Sequence, residues 1–156
     1  MKIAVIDNLR SVYNVGSIFR TANAVGIDKI ILCGTTPTPL DKYGDKRSDF
    51  AKVALGAEDI VAWEYKEDIR STIEELKKNN FYVIAIEQDE KSVDYKKVNI
   101  EGKSDIVFII GPEVDGMSKE NLALCDVIAE IPMLGTKESL NVTIAFGIAI
   151  YRILGV

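Results

Sequence analysis

The stretch that decides the fold is residues 105–118, which read DIVFIIGPEVDGMS. An apolar strand, predicted over residues 105–110, is followed at once by a tight loop with two glycines and two carboxylates. A strand without polar alternation is typical of a sheet buried on both faces. Ligands of open α/β sheets bind outside the carboxyl ends of such strands, and Gly111 would let the backbone approach a ligand closely. The alternative is a Gly-Pro turn in which Ser118 caps the next helix.

Strands and helices alternate outward from this segment in both directions. The patterns predict further strands over residues 2–6, 29–33, 60–64, 81–86 and 127–131, and helices over residues 15–25, 50–55, 69–78, 119–124 and 139–154. Asn14 is a plausible cap for the first of these helices, and Ser139 is an ordinary cap of the last in the structural alternative given below. Residues 87–104 are polar, and no element is assigned there. The alternation predicts an α/β fold with a mostly parallel sheet and helices on both faces, and the length predicts a single domain, residues 1–156.

Composition excludes several kinds of chemistry. The chain has no histidine, which removes histidine-based general bases and most zinc sites. Cys33 and Cys125 are far apart and lack metal-ligand spacing, so we expect no metal and interpret both as reduced, buried thiols. No stretch has the pattern of a signal peptide or a membrane span. We therefore expect a cytoplasmic protein with no membrane partner.

The charge is unevenly distributed. The net charge is −5, which argues mildly against a nucleic-acid partner. Residues 1–52, however, hold eight Lys/Arg and five Asp/Glu, a net of +3, and the remainder has a net of −8. Lys42, Lys46 and Arg47 lie on a long loop, residues 35–49, and loops of that length are often functional. A basic RNA-binding region and an ordinary solvated face both fit this pattern.

Two more clusters stand beside predicted helix starts. In residues 14–22 (NVGSIFRTA), Asn14 and Arg20 lie at the start and in the second turn of a helix. Free N–H groups and a planar guanidinium suit an anion such as phosphate there. Residues 131–142 (IPMLGTKESLNV) lead an apolar strand through a polar loop whose backbone can bind an adenine edge. The alternative is structural, with Asn14 and Ser139 as caps and Arg20 as a surface charge.

Together these segments resemble the SpoU subgroup of the SPOUT RNA methyltransferases. The match lies in Asn14 with Arg20-Thr-Ala, in Gly111-Pro-Glu with Gly116, and in Ile131-Pro-Met with Ser-Leu-Asn-Val from residue 139. Residues 52–57 (KVALGA) match a weaker family segment. Order and spacing agree from Asp7 to the end of the chain. Glycine-rich nucleotide fingerprints are absent, so a nucleotide-like cofactor would need another kind of site.

The resemblance implies a fold with a deep C-terminal trefoil knot that holds S-adenosylmethionine. It assigns cofactor contacts to Ile86, Gly111, Ile131 and Leu140, and catalytic or substrate roles to Asn14, Arg20, Glu113, Ser139 and Asn141. The implied reaction is methyl transfer to a ribose 2′-hydroxyl of tRNA or rRNA. Two alternatives stay open: a non-catalytic RNA-binding or ribosome-assembly protein of the same fold, and a SPOUT methyltransferase acting on a base nitrogen. Many relatives have an added RNA-binding domain, which we do not expect here.

The role of each candidate follows from the weak nucleophilicity of a ribose hydroxyl. Arginine is effectively always protonated, so we expect Arg20 to stabilise the developing alkoxide and bind the adjoining phosphate rather than act as a base. Glu113 is either the base or a residue that orients Arg20 and Asn14.

The predicted last helix, residues 139–154, is apolar on nearly every side. Because one sheet face cannot bury all sides of a helix, we expect a homodimer through this helix. In such a dimer, Arg20 of one chain could act near the cofactor of the other.

Overall fold

Seven parallel strands form one sheet in the computed structural model, which describes residues 1–156. The strands are β1 (Lys2–Asp7), β2 (Lys29–Cys33), β3 (Ala62–Lys66), β4 (Tyr82–Ile86), β5 (Val93–Asp94), β6 (Ile106–Ile110) and β7 (Val127–Glu130). The order across the sheet is β3-β2-β1-β6-β4-β7-β5. Every neighbouring pair is parallel, which confirms the predicted mostly parallel sheet.

Helices cover both faces of the sheet, as predicted. They are α1 (Val12–Ala24), α2 (Ser48–Ala54), α3 (Ala57–Ile60), α4 (Ile69–Lys78), α5 (Lys119–Leu122) and α6 (Val142–Leu154). On one face, α1, α2, α3 and α6 enclose a core of 25 buried residues that includes Phe19 and Phe146. On the other face, α4 and α5 enclose 14, including Ile73 and Leu122. The thicker layer is therefore the one that contains the helix expected to form a dimer.

The strand of the deciding stretch lies in the middle of the sheet. β6 pairs with β1 on one side and with β4 on the other, and all five of its residues are buried. β7 lies beyond β4, so β6, β4 and β7 are adjacent. Because the strands are parallel, their carboxyl ends meet at one edge, and the chain leaves them there as three loops.

The prediction that Asn14 caps the first helix is wrong. α1 begins at Val12, and the side chain of Ser11 accepts a hydrogen bond from the backbone N–H of Asn14 at 3.2 Å. Ser11 therefore does the capping one turn earlier than expected. Asn14 lies inside the helix, and its side chain points into the protein, where it is 7% exposed.

The cap of the last helix is also displaced. α6 begins at Val142, and Asn141, not Ser139, accepts the N–H of Thr143 at 2.9 Å. The unassigned segment 87–104 contains the short β5 and a 3-10 turn, Tyr95–Lys97, and the turn packs against α6. The strand expected over residues 60–64 is β3, shifted two residues later, because residues 57–60 form the helical turn α3.

Candidate active site

An open cleft of about 780 Å³ lies where β6, β4 and β7 end. Its lining includes three residues at or near strand ends, Ile86, Ile110 and Ala129. The rest of the lining comes from the two residues after β4, from residues 111–113, from five residues of the segment 131–141 and from the first turn of α6. The cleft thus occupies the position at which open α/β sheets bind ligands.

The cleft brings together most residues that the sequence singled out. All four predicted cofactor residues line it: Ile86, Gly111, Ile131 and Leu140. Three of the five predicted catalytic or substrate residues line it as well: Glu113, Ser139 and Asn141. These seven residues come from segments up to 55 positions apart, and the parallel register of three strands is what makes them neighbours.

Asn14 reaches the cleft through a hydrogen bond. Its Nδ2 donates to Oε1 of Glu113, although the two residues are 99 positions apart in the chain. The contact joins the first turn of α1 to the loop after β6. One carboxylate oxygen of Glu113 is thereby engaged, and Glu113 Oε2 has no hydrogen bond from the protein.

Gly111 is required for a reason that the sequence did not indicate. A Cβ added at Gly111 would lie 2.5 Å from Cγ of Met117 and 3.0 Å from the Met117 backbone nitrogen. The absent side chain therefore lets the loop fold back on itself, with Met117 packed over the end of β6. Gly111 shapes the cleft wall through this internal packing, and close approach of a ligand to its backbone stays a prediction.

The family comparison is decisive once this geometry is known. The model described as the SpoU rRNA Methylase family matches residues 1–151. The chain belongs to this family. The predicted fold class agrees with it, and the C-terminal knot is a feature of that family's fold.

Known SpoU relatives are longer than this chain. A Staphylococcus aureus protein assigned to the TrmH family of tRNA/rRNA methyltransferases is 32% identical over 98% of this chain and 58% of its own length. The 23S rRNA (guanosine-2′-O-)-methyltransferase RlmB of Pseudomonas aeruginosa is 28% identical over 96% and 56%. The AdoMet-bound rRNA methyltransferase of Sinorhizobium meliloti superposes with a TM-score of 0.85 at 26% identity, covering 97% of this chain and 54% of that one. The chain thus spans little more than half of each.

Arg20 is the one predicted site residue that stands apart from the cleft of this SpoU chain. It is exposed on α1, does not line the cleft, and takes part in none of the eight salt bridges. Tyr13 and Ser17, which are not buried, lie on the same side of α1 at helical spacing. Within one chain, Arg20 is therefore a free guanidinium on the helix layer rather than part of the cleft wall.

The charged side chains in the SpoU cleft are all acidic. Glu87 and Glu113 line it, and no Lys or Arg does. The N-terminus of α6 also lines the cleft, but the two carboxylates there repel a phosphate group and no cation offsets them. A cationic ligand without phosphates is the better electrostatic match.

Sequence reasoning missed the two residues that follow β4, Glu87 and Gln88, and both line the cleft. Glu87 accepts hydrogen bonds from the backbone N–H groups of Met117 at 3.1 Å and Gln88 at 2.9 Å. The Gln88 side chain donates to the carbonyl of Glu138 at 2.8 Å. Their position directly after a buried strand was the available signal, but the polar run that they begin obscured it.

The long basic loop is less free than its sequence indicated. Lys46 pairs with Asp59 at 2.7 Å and Arg47 pairs with Asp49 at 2.8 Å. These contacts raise the pKa of Lys46 and lower that of Asp49. Lys42, the third cation, lies 4.9 Å from the centre of the Tyr43 ring. Surface pairs of this kind are weak, so an RNA phosphate can compete for the same cations.

Neither cysteine is in a reactive setting. Burial raises the pKa of Cys33 to about 11 and that of Cys125 to about 12, so both are protonated thiols at neutral pH. No group of three or more His, Cys, Asp or Glu side chains is placed to hold a metal ion. None of the helices has both the length and the hydrophobicity needed to cross a membrane.

Proposed function

We propose that this chain transfers a methyl group from S-adenosylmethionine to a ribose 2′-hydroxyl of tRNA or rRNA. The observation that supports this most directly is the cleft at the ends of β6, β4 and β7. All four residues that the family resemblance assigns to the cofactor line that one cleft. Family membership and the methyltransferase relatives point to the same activity.

S-adenosylmethionine fits the chemistry of the cleft. It is a sulfonium without phosphate groups, and the lining has two carboxylates, no cation and an apolar set that includes Ile86, Ile131 and Leu140. Apolar walls with a few placed polar groups are the usual form of a cofactor site. When bound, the cofactor supplies an electrophilic methyl group. We expect the three loops at the strand ends to hold it, mainly through backbone and apolar contacts.

The chain's own residues must hold and activate the ribose hydroxyl, which is a poor nucleophile at neutral pH. The Asn14 and Glu113 pair forms one side of the cleft and orients a carboxylate whose second oxygen stays available. Ser139 and Asn141 line the cleft from the loop between β7 and α6. Asn141 uses its side-chain oxygen to cap α6, which leaves its amide nitrogen free to donate. We assign these four residues to substrate binding and orientation.

Arg20 completes the site from a second subunit in this proposal. Its guanidinium would stabilise negative charge on the ribose oxygen and bind the neighbouring phosphate. A position outside the cleft of its own chain is what such a role requires. α1 packs against α6, so a partner that docks on α6 lies close to the helix that contains Arg20.

The surface of α6 supports a homodimer. Ile144, Ile148 and Tyr151 lie at i, i+4 and i+7 on its outer side, and 52%, 38% and 40% of these residues is exposed. A contiguous exposed apolar stripe on a helix is typical of a protein interface. Since the opposite side of α6 is already buried in the core, a second copy of the chain is the natural cover.

RNA is the expected partner, and the cytoplasm the expected location. We treat residues 1–156 as one catalytic domain in which the basic N-terminal third, including Arg10, Arg20 and Lys42, meets the phosphate backbone. RNA affinity should then fall as salt rises, despite the net charge of −5.

Transfer of a tritiated methyl group into bulk RNA tests the proposal. The purified protein is incubated with labelled S-adenosylmethionine and total RNA, and the product is separated by size and digested to nucleosides. We expect label in 2′-O-methylated nucleosides of either the tRNA or the rRNA fraction.

Other outcomes are informative. Label in a base-methylated nucleoside would contradict ribose as the acceptor and leave the methyltransferase assignment intact. RNA binding with neither cofactor binding nor transfer would replace the enzyme with an RNA-binding protein of the same fold.

A further inference from the structure

Two adjacent side chains at the exit of β4 each bind a different wall of the cleft. Glu87 contacts the loop after β6, residues 111–117, and Gln88 contacts the loop after β7, residues 131–141. The resemblance to the family assigns a role to Ile86 and to neither of these residues. β4 lies between β6 and β7 in the sheet, so its exit is the one place from which both loops are within reach.

Glu87 holds the first loop through a carboxylate that accepts two hydrogen bonds. Oε1 accepts the N–H of Met117 and Oε2 accepts the N–H of Gln88, so both oxygens have a backbone donor. A Cβ added at Gly116 would lie 2.7 Å from Oε1 of Glu87. Gly116 therefore leaves room for the Glu87 carboxylate, which a side chain at this position would contact too closely. Hydrogen bonds to a charged group are the strong ones, worth about 1.5–3 kcal/mol each.

Gln88 holds the second loop. The hydrogen bond from its Nε2 to the carbonyl of Glu138 is the single hydrogen bond that residues 131–140 make with the rest of the chain. That segment contains Ile131 and Leu140, both part of the cleft wall. Leu134, at its tip, is 98% exposed, so packing does not fix the segment there either.

We infer that Glu87 and Gln88 are positioning residues that hold the two walls of the cleft at the separation the methyl donor requires. The inference rests on the proposed function. A site built from loops binds tightly only if the loops are ordered before the ligand arrives, because any ordering cost is subtracted from the affinity. Loss of either contact should therefore weaken cofactor binding while leaving the groups that meet the ribose in place.

Two variants test this with calorimetric titration of S-adenosylmethionine. Glu87→Gln keeps the shape but can accept with one oxygen only, and its amide would face a backbone N–H. We expect Kd to rise on the order of tenfold to hundredfold, as for a lost hydrogen bond to a charged group. Gln88→Leu removes the donor from an exposed side chain, and we expect a rise of roughly threefold to tenfold, as for a neutral hydrogen bond.

Each variant has a matched control. Glu90→Gln makes the same change three residues later, at an exposed side chain whose only ion pair is a long one of 3.9 Å with Lys119. Asn99→Leu replaces an exposed amide outside the cleft. Both controls should bind the cofactor as the unmodified protein does. In methyl-transfer assays, the KM for the cofactor should rise in the two test variants and kcat should change little.

The stoichiometry separates positioning from loss of fold. Irreversible misfolding lowers the stoichiometry, whereas a positioning role raises Kd at one cofactor per chain in a variant that thermal unfolding without cofactor shows to be fully folded at the titration temperature. The inference is overturned if Gln88→Leu and a folded Glu87→Gln bind with unchanged Kd, or if only the stoichiometry falls. Should Glu87→Gln not fold, the result for Gln88→Leu decides. If the unmodified protein binds no S-adenosylmethionine, the proposed function fails as well.

Discussion

The helices α4 and α6 cover opposite faces of the same sheet, and they are built on different principles. α4 buries Ile69, Thr72, Ile73 and Leu76 and turns charged residues outward, including a pair between Arg70 and Glu74 at 3.1 Å. α6 buries Phe146, Ala149, Ile150 and Ile153, yet its outer side shows Ile144, Ile148 and Tyr151.

The difference shows on which face a single chain buries its apolar surface and on which face it leaves apolar surface exposed. α4 has one apolar stripe, which is what a helix needs to cover one sheet face. α6 has a second stripe that a single chain leaves in water, where each Å² of apolar surface forgoes about 25 cal/mol of burial. The stability of the α4 face should therefore depend only on contacts within the chain. The stability of the α6 face should depend on protein concentration as well.

Breaking the proposed interface should have the largest effect. Ile148→Glu places a charge in the outer stripe of α6, so we expect the dimer to dissociate into 17.2 kDa chains. Methyl transfer should fall by on the order of a hundredfold or more, since Arg20 of the partner subunit is lost with it. Sedimentation and methyl-transfer assays measure both. Glu74→Lys on α4 is the control and should change neither; an unmodified protein that is monomeric and fully active would contradict the comparison.

Arg20 tests the same interface from the catalytic side. Arg20→Lys keeps the charge but loses the planar fork, and we expect the barrier to rise by about 2–4 kcal/mol. Cofactor affinity should be unchanged, because Arg20 does not line the cleft of its own chain.

Mixed dimers show which subunit Arg20 serves. In Gly111→Ala the new Cβ would lie 2.5 Å from Cγ of Met117, which should disable the cofactor loop. Mixing this chain with an Arg20→Ala chain should restore one working site per heterodimer. No recovery in proven heterodimers would refute the shared site and leave the methyltransferase assignment standing.

The α4 face has a pH-dependent feature of its own. Asp7 is 4% exposed at the end of β1, and burial raises its pKa from 3.8 to about 6, while the hydrogen bond from Asn8 acts in the opposite direction. The folded protein thus binds the Asp7 proton more tightly than the unfolded chain does. This tighter binding stabilises the folded state fully below pH 3.8, and the stabilisation is lost as pH rises through about 6.

Asp7→Asn should remove that dependence. Relative to the unmodified protein, we expect the variant to gain up to about 3 kcal/mol in the free energy of unfolding between pH 4 and pH 7, at 1.36 kcal/mol per pKa unit. Urea unfolding at both pH values and one protein concentration measures it. An equal difference at the two pH values would show that the carboxyl does not titrate in this range.

The two helix caps give the smallest and most specific test. Asp68 caps α4 through the N–H of Ser71 at 2.7 Å, and Asn141 caps α6. Replacing either with alanine should cost about 1 kcal/mol of stability. Only Asn141→Ala should also weaken cofactor binding, because Asn141 lines the cleft. Thermal unfolding and calorimetry separate the two effects, and a matching loss of cofactor affinity in Asp68→Ala would be contrary to expectation.

The same contrast explains what the sequence could predict. α4 was predicted over its full length, Ile69–Lys78, because its periodicity, its charges and the two asparagines that follow it are all local signals. β6 and the approximate position of the cleft followed from an apolar run that ends at Gly111. The outer stripe of α6 was visible as an excess of apolar residues for one sheet face.

The predictions that failed have one of two causes. Either two nearby residues suit the same role equally well, or the residue makes its contact with a distant part of the sequence. Ser11 and Asn14 are both good caps, and nothing local decides between them. The contact of Asn14 with Glu113 joins residues 99 apart and depends on the packing of α1 over the sheet. Glu87 and Gln88 begin a polar run that reads as an ordinary loop. Their importance follows from the position of β4 between β6 and β7, which is a property of topology.

That topology also determines the order in which strands can pair while the chain is being synthesised. β1 lies between β2 and β6, so Ile3 can pair with Lys29 early but has its second partner, Val107, only after β6 has been synthesised. A chain emerging from the ribosome can pair only β3, β2 and β1 over its first 66 residues, with one edge of β1 exposed. The cleft also needs α6, which follows all seven strands in the sequence. The ligand site can therefore form only after α6 has been synthesised, and a chain that stops before α6 would have every strand of the sheet but no site.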